Sequence, residues 1–269
     1  MPDLQHIDTR VQNDPAWAAT RDANLPTAQN WARKVSIVHV LGTDPLAFWN
    51  QPWPLTLHPT ENTNSRTAQS EDAFGLGRSL YFYAGRAYPR TGGTAFAFGP
   101  GSEQGHTGSA TPFDTGGLYA DAPYAPPISM SPPDNLQRRI SLCAASIIPL
   151  KDWRPAFAAF LAAYFAPPLQ YWRGKPCRPD PDGIFLDSHN TWQAWTFEVR
   201  FLELHEITDA EFWCAKEDHV EMFYRHAIEA VPAANAADLG RFADVRLAPQ
   251  GAMNYPELVE QEIMNRLSQ

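Results

Sequence analysis

Glu198 stands inside the run WTFEVRF (195–201), where Trp195, Phe197, Val199 and Phe201 alternate with Thr196, Glu198 and Arg200. A two-residue period belongs to a strand with one apolar and one polar face, so Glu198 and Arg200 share a face. Three settings suit such a carboxylate: the solvent side of an edge strand, an internal ion pair with Arg200, or a cleft wall. In a cleft it could stabilise a developing positive charge or activate a hydroxyl.

A second concentration is SLYFYAGRAYPR, residues 79–90. Alternation puts Tyr81 and Tyr83 on one face, and Gly85 permits close backbone approach just before Arg86. Two phenol rings and a guanidinium can receive a flat ring and a phosphate, although an aromatic core strand has the same pattern. His39, near the end of the β-branched run 35–40 and beside Gly42-Thr43, suits a structural or a binding role. Asp114 in ATPFDTGG either orients a substrate amine or hydroxyl or caps its own turn through its side chain.

Metal readings are few. His205-Glu206 has no second histidine four residues beyond the first, and Asp180-Pro-Asp182-Gly183 lacks the later ligands of a calcium loop. Asp187 followed by Glu198-Val199-Arg200 is similar to the Asp and Glu-x-Lys spacing of magnesium-dependent nucleases. Arg200 stands where those enzymes have a lysine, and a permanently charged guanidinium cannot do a lysine's proton transfer.

The elements that must carry these residues follow from pattern. Strands are expected at Val35–Val40, Ser79–Ala84, Thr94–Phe98 and Trp195–Phe201, with a further one within Ile140–Leu150. Trp153, Phe157, Phe160, Leu161 and Tyr164 recur at helical spacing and predict a helix over Asp152–Phe165, stopped by Pro167 and Pro168. Thr208-Asp209-Ala210-Glu211 reads as a capping box opening a helix to about Ile228, and Glu257–Leu267 as a terminal helix. A short helix is expected to begin at Pro45. Gln51–Asp72, rich in Pro, Thr, Asn and Ser, reads as a loop, and one of that length is expected to cover a cleft. The sum is an α+β fold: a central, twisted, mostly antiparallel sheet with surrounding helices and long Pro-rich loops. Residues 1–34 are expected to be an N-terminal extension and 35–269 a single α+β catalytic-type domain.

Length and composition bound the rest. A chain of 269 residues with 44% hydrophobic and 12% aromatic residues can bury a sizeable core. A net charge of -9 disfavours non-specific attraction to phosphate backbones. Cys143, Cys177 and Cys214 form no CxxC pair, so neither a disulfide framework nor a Cys-type zinc site is indicated. No signal peptide is read in residues 1–30, and the apolar stretch Ala156–Ala166 is about half the ~20 residues that cross a bilayer. A cytoplasmic location without membrane association is expected.

His39 on an early strand, Tyr81, Tyr83 and Arg86 on the next, and Glu198 on a late strand resemble the ordered His, Tyr/Arg, Glu arrangement of ADP-ribosyltransferase domains. The run YFYAGRAYP and the Arg86-to-Glu198 separation resemble the toxin branch that modifies DNA bases (DarT-type), over residues 35–210. The resemblance implies NAD as substrate and no metal, with Glu198 and Arg86 catalytic and His39, Tyr81, Tyr83 and Arg86 binding NAD. It further implies a nucleic-acid or protein acceptor, a toxin or defence role, and an antitoxin partner. Two other functions fit the residues alone: a magnesium-dependent nuclease using Asp187 and Glu198, and a noncatalytic binding module built on aromatic loops.

Overall fold

A computed structural model describes residues 15–40, 56–61, 65–85, 94–112, 115, 144, 146–171, 177, 197–207, 211–214 and 245–247. Apolar alternation drives most of its strands: in Leu80–Ala84 the residues Leu80, Phe82 and Ala84 are buried while Tyr81 and Tyr83 are half-buried on the other face. The strands are β1 (Ile37–Val40), β2 (Thr56–Leu57), β3 (Leu80–Ala84), β4 (Thr94–Phe98), β5 (Gly108–Thr111), β6 (Ile148–Pro149), β7 (Glu198–Phe201), β8 (His205–Glu206), β9 (Glu211–Cys214) and β10 (Val245–Leu247). Eight of them form one sheet in the order β10-β9-β4-β1-β3-β7-β5-β6, while β2 and β8 pair separately. Every pairing is antiparallel except β9 with β10. Helices and an antiparallel sheet make the fold an α+β one.

One face of the sheet carries the main core. Ile37, Phe82, Phe96, Phe98, Ala110, Val199 and Phe201 from the strands cluster with Trp153, Phe157, Phe160 and Leu161 of helix α3 (Trp153–Tyr164). Phe197 and Phe201 are fully buried, as the alternation predicts, whereas Trp195 lies outside the described residues. α3 buries Ala156, Ala158, Ala162 and Ala163 as well as its aromatic stripe, because α1 (Pro15–Lys34) packs beside it. Ala28, Trp31 and Ala32 of α1 are buried there. Thus a helix with a core-facing side occupies much of residues 1–34, and Pro26 sits inside it. Arg154 ties the corner together: Nη1 donates to the carbonyls of Ala32 (2.6 Å) and Val35 (3.0 Å), and Nε to Glu103 Oε1 (2.6 Å). Burial alone would raise the Glu103 carboxyl, but the Arg154 hydrogen bonds and charge outweigh it and hold the group below its usual range.

Two expectations are corrected. The 51–72 segment, a loop by composition, contains β2 and the start of α2 (Arg66–Phe74). Ser65 caps α2 by accepting from Ala68 N, and Gly75 closes it in the left-handed conformation at φ 67°. Helix-end chemistry outweighs weak periodicity here. Ser65→Ala should lower stability by ~1 kcal/mol in denaturant melts. Glu211 does not continue a helix from the Thr208 box: Glu211–Cys214 is β9, paired with β4 and β10. Its EFWC sequence has strand-forming aromatics in a row, and a partner on each side outweighs the local cap signal. The helices expected from Pro45, through Ile228 and over Glu257–Leu267 lie largely or wholly outside the described residues, as do 140–143 and 145 of Ile140–Leu150, where β6 is the strand seen.

Gly108, the first residue of β5, has φ 152°, and a Cβ there would stand 1.9 Å from the Arg200 carbonyl oxygen. The backbones of β5 and β7 therefore meet where no side chain fits. Gly108→Ala should cost about 1–3 kcal/mol, read as a lower denaturation midpoint with an unchanged slope.

Candidate functional site

β7 lies in the sheet interior between β3 and β5, so Glu198 is not on an edge strand's solvent side. Cross-strand register places Val38, Tyr83, Glu198 and Thr111 in one row, and Tyr81, Arg200 and Ser109 in the next. These residues share the face opposite the main core. Glu198 and Arg200 are only 1% and 0% exposed, so their charges have to be matched within the protein.

They are. Arg200 Nη1 donates to Glu198 Oε1 at 2.5 Å and to Thr111 Oγ1 at 3.2 Å, while Nε and Nη2 both reach Ser109 Oγ at 3.2 and 3.0 Å. Thr115 completes the carboxylate, donating from Oγ1 to Oε1 (2.7 Å) and from N to Oε2 (3.3 Å). A buried ion pair offsets its desolvation cost only with this kind of additional hydrogen bonding. The result is a fixed negative group with one strong counter-ion on one oxygen and a weaker backbone donor on the other.

A second buried carboxylate adjoins it. Glu71 of α2 accepts from Ser79 N (2.8 Å) and Tyr81 Oη (2.9 Å) on Oε1, and from Arg78 Nη1 (3.2 Å) on Oε2. Burial first, then the negative charges of Glu198 and Glu71, push the Tyr81 phenol far above its ordinary value. Tyr81 is therefore a neutral donor pinned to Glu71. The sequence pattern does not single out Glu71, because it falls in the segment whose composition reads as loop; its signal is the Ser65 and Gly75 caps that make 66–74 helical.

His39 lies on the other face. Its neighbour Val38 pairs with Tyr83, while His39 stands on the core side at 5.7 Å from the Phe82 ring, its Nδ1 2.8 Å from the Tyr81 carbonyl. The sheet thus brings Tyr81, Tyr83 and Glu198 together and puts its own thickness between them and His39. Burial depresses the His39 pKa, against the Tyr81 carbonyl that favours its proton. Arg86, Asp114 and Asp187 lie outside the described residues, as do 51–55 and 62–64 of the segment expected to cover a cleft.

His39 instead adjoins two further histidines. His106 Nε2 and His205 Nδ1 are 3.0 Å apart, His106 stacks on Phe201 at 4.2 Å, and His205 stands edge-on to Phe98 at 4.7 Å. Burial, then the charges of His106 and His39, lower the His205 pKa to about 4 from an ordinary 6.5. The unfolded chain therefore takes up this proton first. His205 contributes stability in full above about pH 6.5, loses it as pH falls, and contributes none below about 4. The melting temperature should fall with acid across that window, and His205→Phe should flatten the slope. A wild-type melting temperature constant from pH 7 to 4.5 would contradict this.

Among the described residues there is no group of three or more His, Cys, Asp or Glu side chains that could hold a metal ion, and no helix long and apolar enough to cross a membrane. The chain matches no protein-family model, no curated protein and no solved structure.

Proposed function

We propose that the chain is an NAD-consuming transferase that passes ADP-ribose to a nucleic-acid base or a protein side chain. The observation carrying this reading is the setting of Glu198: a buried carboxylate held by Arg200 and Thr115, directly opposite Tyr83 in the sheet, with Tyr81 on the same face. Breaking the bond between nicotinamide and ribose leaves an oxocarbenium-like carbon, and a carboxylate fixed beforehand stabilises that charge without reorganising. In this reading Glu198 faces the ribose, the tyrosines flank the nicotinamide ring, and Arg86, just after Gly85, holds pyrophosphate. His39 has no part in it, since it stands on the opposite face.

The test is incubation of the protein with NAD and, in parallel, single-stranded DNA, duplex DNA and a protein mixture. Nicotinamide release and an added ADP-ribose mass on one acceptor are expected. No release above the protein-free rate with any acceptor would overturn the assignment. Arg86→Ala should raise KM for NAD far more than it lowers kcat, because a pyrophosphate contact exists before and during the reaction.

A further inference from the structure

The histidine cluster on the core side of the sheet is an ordered set. Glu203 Oε2 lies 3.6 Å from His106 Nδ1, and the same carboxylate accepts from Thr107 N (2.9 Å) and Thr107 Oγ1. A negative charge beside Nδ1 favours the tautomer with its hydrogen there. His106 Nε2 is then an acceptor, and His205 Nδ1, 3.0 Å away, must donate to it. That leaves the lone pair of His205 on Nε2. Among the described residues no hydrogen bond reaches this nitrogen, and it is not one of the fully buried side-chain atoms without partners, which are Ser102 Oγ, Trp153 Nε1 and Gln170 Oε1. His205 is half-buried, and among the described residues its Nε2 is unpartnered. The rings of Phe98, Phe201 and Phe82 fix the imidazole at 4.7, 5.6 and 5.9 Å.

We propose that Glu203, His106 and His205 form a proton relay that makes His205 Nε2 a nucleophile toward acyl carbonyl groups, at a site separate from the Glu198 face. The Nε2 lone pair attacks the carbonyl carbon, and the bond from that carbon to the leaving oxygen breaks, the oxygen departing with the electron pair. The Nδ1 proton of His205 passes to His106 Nε2. The acyl-imidazole is then neutral, and the new His106 cation stands beside Glu203. Such an order, with a carboxylate orienting one base that serves a second group, is how weak nucleophiles are activated. Among the described residues, the titratable groups facing His205 are His39 from β1 and His106, with Glu203 beyond His106. Burial first, then the charges of the two imidazoles, keep a proton off His205, so the nucleophile persists into mild acid.

The test uses diethyl pyrocarbonate on the native protein, with N-acetylhistidine in the same tube and His205 resolved by peptide mass. An ordinary imidazole is mostly protonated below pH ~6.5, so the reactivity of His205 relative to the reference should rise about tenfold between pH 7.5 and 5.5. Glu203→Gln and His106→Asn should each lower the His205 rate at pH 7.5 several-fold, and Glu203→Asp should restore part of it. A constant ratio, an unreactive His205, or variants with wild-type rates would overturn the proposal. As a check that needs no variant, nitrogen-15 spectra of the wild-type protein should show His205 protonated at Nδ1 and bare at Nε2; the opposite tautomer would also overturn it.

Discussion

Glu198→Gln should lower nicotinamide release about 10²- to 10⁴-fold, the size of losing one positioned charge at a reacting centre. The structure adds a complication and its remedy. Glu198 is also the partner of Arg200 at 2.5 Å, so the substitution leaves a buried guanidinium without its counter-ion. Stability must then fall along with activity, and a loss of turnover in the single variant is ambiguous. The double variant Glu198→Gln/Arg200→Met separates the causes, because exchanging a whole buried ion pair for neutral groups of similar size is often neutral or stabilising. If the carboxylate acts on the reacting ribose, the double variant recovers its melting temperature but not its turnover. Recovery of both would reduce Glu198 to a counter-ion and remove it from the reacting centre.

Arg200→Met alone should destabilise the fold by about 3–5 kcal/mol, the cost of leaving one member of a buried pair unmatched. Arg200 makes hydrogen bonds to Ser109 and Thr111 on β5 as well as to Glu198, so β5 loses these side-chain hydrogen bonds to β7 in the same step and keeps its backbone pairing. Amide exchange in β5 and β7 should accelerate more than in α3, whose own ion pair, Arg154 with Glu103, does not involve Arg200. A stability within ~1 kcal/mol of wild type would mean that water reaches the pair and that its burial carries little weight.

Much of the sheet was legible because side-chain period reports on faces directly. Thr94–Phe98 forms as predicted, and the Glu198/Arg200 pairing follows from alternation in WTFEVRF. Alternation does not say how neighbouring strands are registered, however. His39 and Glu198 therefore looked compatible in chain order while lying on opposite faces, a fact that emerges only from Val38 pairing with Tyr83 and Tyr83 with Glu198. Glu71 was invisible for another reason. Its helix is specified by its ends, Ser65 and Gly75, more than by an apolar stripe, and composition weighs the middle. β9 shows the converse: a good local cap at Thr208 yields to two strands that only the folded chain supplies.

The alternation of β7 also bears on how the chain finds its pairing. Slipping β7 by one residue against β3 and β5 would turn Glu198 and Arg200 in among Phe82, Phe157 and Phe160, and turn Val199 and Phe201 toward Ser109 and Thr111. Apolar residues alone penalise such a slip by the area they expose. Two charges add the far larger cost of unmatched ions in an apolar medium. The ion pair thus serves as a proofreading element: misaligned sheets are excluded less by what the correct alignment gains than by what every neighbouring alignment forfeits.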